Sequence, residues 1–223
     1  MAIRYVLFDA VGTLIYPQPS VAAAYQQAAA ACGIELSQNE IRARFAAAYS
    51  RVFSGSVEMA TDEERERRRW RVVVADVFHE WPQHVDNLLA ELWQHFSQAQ
   101  HWPLFDDVAT TWTTLMARGY ELGIASNFDA RLRKILAGHS LLAACRHMFV
   151  STELGFAKPD QRFFREIEQR LDARPDELLI VGDDIENDVV APRRRGWQTI
   201  ALVRNSPSAD GIRSLSELCD CLP

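Results

Sequence analysis

An aspartate closes a short apolar run in the stretch VLFDAVGTLI, residues 6–15, and Gly12-Thr13 then turns the chain. A carboxylate at the end of a buried strand, just ahead of a tight turn, is placed for nucleophilic attack. Ser126-Asn127 end the run ELGIASN, Asp183-Asp184 end LLIVGDD, and Lys158 sits in the loop GFAKPD. Together these offer a nucleophile, hydrogen-bond donors, a cation and further carboxylates, which is the equipment of phosphoryl transfer. An aspartate such as Asp9 can form an aspartyl-phosphate. The Ser126 hydroxyl and the Lys158 ammonium can hold equatorial oxygens as charge moves. Clustered carboxylates repel one another unless a divalent ion sits among them, and an all-oxygen set suits Mg²⁺. Lysine is scarce: Lys134 and Lys158 are the two among 24 basic residues, which singles out Lys158. Asp184 reads as a turn residue, and Thr13 as a residue that fixes the turn and a backbone contact.

The elements that must position these groups alternate. Residues 3–8 read as a first strand. The pattern is then helical to about residue 100. Ser20 caps a helix that stops at Gly33, Ser37 and Glu40 form a capping box, and Thr61 to Glu64 open a third helix. On that helix Trp70, Val74, Val77, Phe78 and Trp81 make one apolar stripe. The pairs Glu63–Arg67 and Glu64–Arg68 are spaced i,i+4 for a solvated face. A fourth helix covers Val85 to Phe96. Beyond it, helices near 106–118, 129–137 and 161–171, and one ending near Gly196, alternate with strands at YELGIAS, HMFV, LLIVGDD and WQTIALV. This alternation predicts an α/β fold, a doubly wound, Rossmann-like parallel sheet with helices on both faces. The expected organisation is a core from residues 1–16 and 101–223 with an inserted all-helical unit at 17–100. Functional groups in such a sheet gather beyond the carboxyl ends of its strands, where Asp9, Ser126 and Asp183 fall.

FDAVGTL, GIASN, GFAKPD and VGDDIENDVVAPRRRGW resemble, in order and spacing, the four motifs of the haloacid dehalogenase superfamily. The helical insertion resembles the subfamily with an α-helical cap. SNFDARL and the altered first motif are similar to the rhythmically-expressed-gene and domain-containing-three-like branch. The resemblance implies Asp9 as nucleophile, Ser126 as phosphate donor and Lys158 as the cation that steadies both. It implies Thr13 and Asn127 at the substrate. Asp9, the backbone carbonyl of Val11 and Asp183 are implied as Mg²⁺ ligands, with Asp188 acting through water or supporting the ion.

Val11 stands where phosphatases of this superfamily carry an acid that protonates the leaving alcohol. Such help is typically worth about 10² to 10⁴-fold. Three readings follow. One is a Mg²⁺-dependent phosphohydrolase, either with a good leaving group such as an acyl phosphate or with a cap residue supplying the proton. Another is a 2-haloacid dehalogenase, since halide leaves without a proton, although that chemistry dispenses with the metal. The third is a phospholigand-binding module on a decayed scaffold. A phosphonate hydrolase is excluded, because its cap lysine has no counterpart in residues 17–100.

The remaining composition narrows the class. Apolar residues make up 48% and charged residues 24%, and the formal charge of −6 speaks against a nucleic-acid binder. No apolar run is long enough to cross a bilayer. Cys32, Cys145, Cys219 and Cys221 lack metal or redox spacing. The expectation is a soluble cytoplasmic enzyme that acts on a small phosphorylated molecule. Arg42, Arg44 and Arg51 in the insert are possible contacts for an anionic substrate.

Overall fold

The structure, a computed structural model, describes residues 2–54, 60–204 and 210–222. Five parallel strands form one sheet: β1 (Tyr5–Phe8), β2 (Glu121–Ser126), β3 (His147–Val150), β4 (Leu178–Gly182) and β5 (Gln198–Ala201), in the order β3-β2-β1-β4-β5. β1 is central and wholly apolar because both of its faces are covered. Val6 and Phe8 point into one core with Trp112, Ile124, Ile135 and Val181. Tyr5 and Leu7 point into the other with Phe163, Phe164, Ile167 and Ile180. The chain runs outward from β1 through β2 to β3, then returns to place β4 on the other flank of β1. That reversal opens a crevice beyond the carboxyl ends of β1 and β4. The register pairs Phe8 with Val181, and the Asp9 amide donates to the Val181 carbonyl at 2.9 Å. Asp9 and Asp183 therefore emerge side by side.

Between β1 and β2 the chain forms α1 (Val21–Ala31), α2 (Gln38–Tyr49), α3 (Glu63–Val77) and α4 (Val85–His95), with a π-helical turn at Ser50–Ser54 extending α2. These helices bury their own core, built on Tyr25, Ile41, Val74, Val77, Phe78 and Leu88. The apolar stripe on α3 is its centre, with Trp70 and Trp81 partly buried against it. Ser20 and the Ser37–Glu40 box cap α1 and α2 as expected. The cap of α3 falls one residue later than the spacing suggests. Asp62, not Thr61, is the cap, because its carboxylate takes the Arg65 amide at 2.7 Å.

The remaining helices are α5 (Val108–Ala117), α6 (Arg131–Ala137), α7 (Ser140–Ala143), α8 (Ser151–Leu154), α9 (Gln161–Leu171), α10 (Ala191–Arg193) and α11 (Leu218–Cys221). The single helix expected before Gly196 is instead a π-helical turn, Ile185–Val190, followed by α10, whose second residue is Pro192. Proline lacks the amide an ordinary helix needs there. α11 has no counterpart in the expected element list.

Asp107, at the entry to α5, ties the end of the chain to the core. Its carboxylate accepts from Arg204 at 2.7 and 3.0 Å, from the Ser214 hydroxyl at 2.8 Å and from the Leu215 amide at 2.9 Å. Burial raises an acid, but here these donors prevail and hold Asp107 below the usual carboxylate range. Its contribution to stability is therefore complete above an unfolded pKa of about 3.9 and is lost as pH falls through the lower folded value. Asp107→Asn leaves the Arg204 charge without its partner and is expected to cost about 2 to 4 kcal/mol in urea unfolding at neutral pH. The gap to the unmodified protein should narrow below about pH 4.

Candidate active site

The centre of the crevice is an ammonium group. Lys158 is 3% exposed, and its Nζ donates to Asp9 Oδ1 at 2.9 Å, to Asp188 Oδ1 at 2.6 Å and to the Ala125 carbonyl at 2.9 Å. All three ammonium protons are matched, so a fully buried cation is tolerable. Burial alone lowers a lysine, but the charges of Asp188 and Asp9 outweigh it and hold Lys158 above its ordinary value. The loop that presents it is fixed by Asn127, whose amide takes the Lys158 N–H at 2.8 Å and gives to its carbonyl at 2.8 Å. The peptide bond from Lys158 to Pro159 is cis.

One carboxylate oxygen from each of Asp9, Asp183 and Asp188 lies within 4.8 Å of the others. Asp188 is 1% exposed, and its second oxygen takes the Asp184 amide at 3.2 Å. Burial pushes its carboxyl up, and the neighbouring charge of Asp9 adds to this against the pull of Lys158. Asp183 faces the cleft and has accessible surface, yet the surrounding walls withdraw its carboxyl from bulk water. That desolvation, with the charge of Asp9, pushes it up to about 6. Its hydrogen-bonding side chain is Thr13, whose hydroxyl donates at 3.3 Å. Two glycines make room for these acids. Gly12, at φ +88°, passes so close that a Cβ would strike the Asp183 carboxylate, and a Cβ on Gly182 would strike that of Asp188.

Ser126 ends β2 and is 2% exposed, inside the same crevice floor. Thr13 is fully buried, and its carbonyl takes an Arg204 N–H at 2.9 Å. Val11 packs half-buried against the core, and its side chain has no group that can exchange a proton. Asp184 serves the turn expected of it, capping the π-helical turn through the Asn187 amide at 2.9 Å.

The helical insert supplies the opposite wall. A cavity of about 310 Å³ is lined from the core by Asn127, Ser151, Lys158 and Asp184, and from the insert by Tyr49, Phe53, Glu66, Arg69 and Trp70. Tyr49, Phe53 and Trp70 form a ring cluster with centroids 4.7 to 6.1 Å apart. None of Tyr49, Phe53, Glu66 or Arg69 is singled out by a sequence motif, whereas Trp70 belongs to the apolar stripe read on α3. Arg44 and Arg51 pair within the insert, with Glu80 at 2.9 Å and with Asp76 respectively. Arg42 bonds Asn39 at 3.2 Å. These three arginines are absent from the cavity lining.

Glu63 joins the insert to the core. The expected Glu63–Arg67 pair does not form. Glu63 Oε1 instead accepts from the Ala130 amide at 2.9 Å and from the Thr152 hydroxyl, while Arg67 lies 5.2 Å over the Trp93 ring. Two donors fixed by core backbone outcompete one flexible arginine. Glu64 and Arg68 do pair on the exposed face.

Chains of known identity place this arrangement. Haloacid dehalogenase-like hydrolase domain-containing protein 3 of Danio rerio is 28% identical over 229 residues, covering 97% of this chain and 95% of that one. The glyceraldehyde 3-phosphate phosphatase of Methanopyrus kandleri is 26% identical, covering 91% and 84%. The Bacillus subtilis HAD-hydrolase YfnB, solved with magnesium bound, superposes with a TM-score of 0.82 at 22% identity over 100% of this chain and 99% of that one. The family model for haloacid dehalogenase-like hydrolases matches residues 3–196, from β1 through the acidic turn after β4. By that match and by the fold that carries its motifs to one crevice, this chain belongs to the haloacid dehalogenase-like hydrolases.

Proposed function

We propose that this chain is a Mg²⁺-dependent phosphohydrolase of small phosphorylated molecules, with Asp9 as nucleophile and residues 17–100 acting as a cap. The observation that carries this reading is the acidic trio. Lys158 bridges Asp9 and Asp188 with a single positive charge, and Asp183 adds a third carboxylate within 4.8 Å, with a hydroxyl as its side-chain donor. A divalent cation offsets that surplus, and the donor set of three carboxylates with the Val11 carbonyl is all oxygen, as Mg²⁺ prefers. Displacement of halide needs no such ion, so the trio favours phosphate over a haloacid. The phosphatase activity named for the Methanopyrus kandleri relative supports the same substrate class.

In this mechanism Asp9 attacks phosphorus and forms an aspartyl-phosphate. Lys158 orients Asp9, and its charge offsets that of the incoming phosphoryl oxygens. Ser126, buried at the end of β2, donates to one of those oxygens. Asn127 positions the Lys158 backbone, and Thr13 steadies Asp183. Bound Mg²⁺ supplies neutralisation of the phosphoryl charge as it redistributes. The insert covers the crevice and excludes water from the nucleophile. Water then releases phosphate from Asp9.

Asp9→Asn is expected to abolish Mg²⁺-dependent phosphate release from acetyl phosphate and p-nitrophenyl phosphate, with an unchanged circular dichroism spectrum. Full activity would remove Asp9 from the nucleophile's role. Lys158→Met leaves buried carboxylates without their cation and should cost about 3 to 5 kcal/mol in urea unfolding. A loss below about 1 kcal/mol would mean that this lysine is not the partner on which the buried carboxylates depend. Asp183 must shed its proton to hold a cation. Mg²⁺ binding measured by calorimetry should therefore be steady above about pH 7 and weaken as pH falls below about 6.

A further inference from the structure

The phosphohydrolase reading leaves the leaving group without a proton donor, because Val11 cannot supply one. The floor of the crevice does not replace it. Asp9 and Asp188 are tied to Lys158, and Asp183 to Thr13. The opposite wall carries a carboxyl. Glu66 lies one helical turn beyond Glu63 on α3, and Glu63 is clamped to the core by Ala130 and Thr152. Residues three apart share a helix face, so the clamp turns Glu66 toward the same crevice. There it lines the cavity with Lys158 and Asn127.

Its surroundings suit an acid that must hold a proton and then give it up. The side chain is 12% exposed. Oε1 takes the Trp70 indole N–H at 3.1 Å, while Oε2 stands 3.6 Å from Arg69, beyond a hydrogen bond. Arg69 also reaches the Thr61 hydroxyl at 3.4 Å. Burial raises the carboxyl, and Asp129 adds to this against Arg69 and Arg131. Tyr49 lines the same cavity, its ring centroid 6.1 Å from that of Trp70.

We propose that Glu66 is the catalytic acid of this enzyme, protonating the leaving oxygen as the phosphoryl group passes to Asp9. In this step the bond from phosphorus to the alcohol oxygen breaks and the bond to Asp9 Oδ forms. The proton of the Glu66 carboxyl moves to the departing oxygen, which leaves as a neutral alcohol, and Glu66 is left as carboxylate. The substrate class that follows is phosphomonoesters of ordinary alcohols, whose leaving groups need a proton. A cap residue thus takes the place of the acid missing at position 11. The proposal rests on the phosphohydrolase reading above.

The test compares kcat/KM for an alkyl phosphate with kcat/KM for acetyl phosphate, with Mg²⁺, in the full-length protein and in Glu66→Gln. This parameter reports only steps up to departure of the leaving group. Acetate leaves without protonation and an alkoxide does not, so the ratio isolates the acid. Glutamine still accepts the Trp70 N–H, which preserves the packing. The ratio should fall by about 10²-fold or more in Glu66→Gln. An equal loss on both substrates, or no change in the ratio, overturns the proposal. So does a fall in the ratio carried by Tyr49→Phe and not by Glu66→Gln. An unmodified protein that hydrolyses acetyl phosphate but no alkyl phosphate overturns the acid role and leaves the phosphohydrolase reading standing. If it hydrolyses neither, and acetyl phosphate labelled on phosphorus leaves no label on Asp9, the reading itself fails and the proposal with it.

Discussion

A buried ammonium with three acceptors is the constraint around which the molecule is arranged. Lys158 Nζ draws together a strand-end aspartate from β1, a carbonyl from β2 and an aspartate from the turn after β4. Those groups come from three adjacent strands of one sheet, so the lysine is satisfied only when β2, β1 and β4 are in register. The reverse also holds. With the lysine in place, Asp9 and Asp188 gain a cationic hydrogen-bond donor that the surrounding apolar core does not offer. The loop around Lys158 has no regular structure of its own, and Asn127 supplies the missing rigidity by bonding both polar groups of its backbone. The geometry around the lysine and the sheet topology are thus one structural problem with one solution.

The glycines show how closely that solution is packed. Gly12 and Gly182 are not there for turns alone. Each occupies the volume into which a methyl group would push a site carboxylate. Backbone approach, more than side-chain contact, sets how near the acids lie to one another. That spacing brings one oxygen of each of the three acids within 4.8 Å of the others.

Much of this was legible in the sequence because strand ends are legible. Asp9, Ser126 and Asp183 fall where an apolar run stops, and Lys158 stands out in a chain almost without lysine. The cap of α3 and the fate of Glu63 were not legible, for a shared physical reason. Local spacing offers Thr61 or Asp62 as cap, and Arg67 or a core donor as partner for Glu63. The choice is made by where the insert lies on the core. Glu66, Tyr49 and Phe53 escaped notice likewise, since an amphipathic helix does not reveal which of its polar residues meets a neighbouring domain. The split of the helix before Gly196 was foreshadowed by Pro192, but π-type winding leaves no periodic signature of its own.

The clamp at Glu63 has a mechanical consequence. One carboxylate oxygen is shared by two donors that belong to different core segments, the chain just before α6 and the short helix α8. α8 also sends Ser151 into the crevice. Moving the insert off the core strains both bonds together, because both end on the same atom. The clamp therefore ties the insert to two core segments through one side chain. Thr61 and Trp93 add further joins, through the Gly155 carbonyl at 3.0 Å and the Arg131 guanidinium 3.5 Å over the indole, so the wall that bears Glu66 is held to the core at several points.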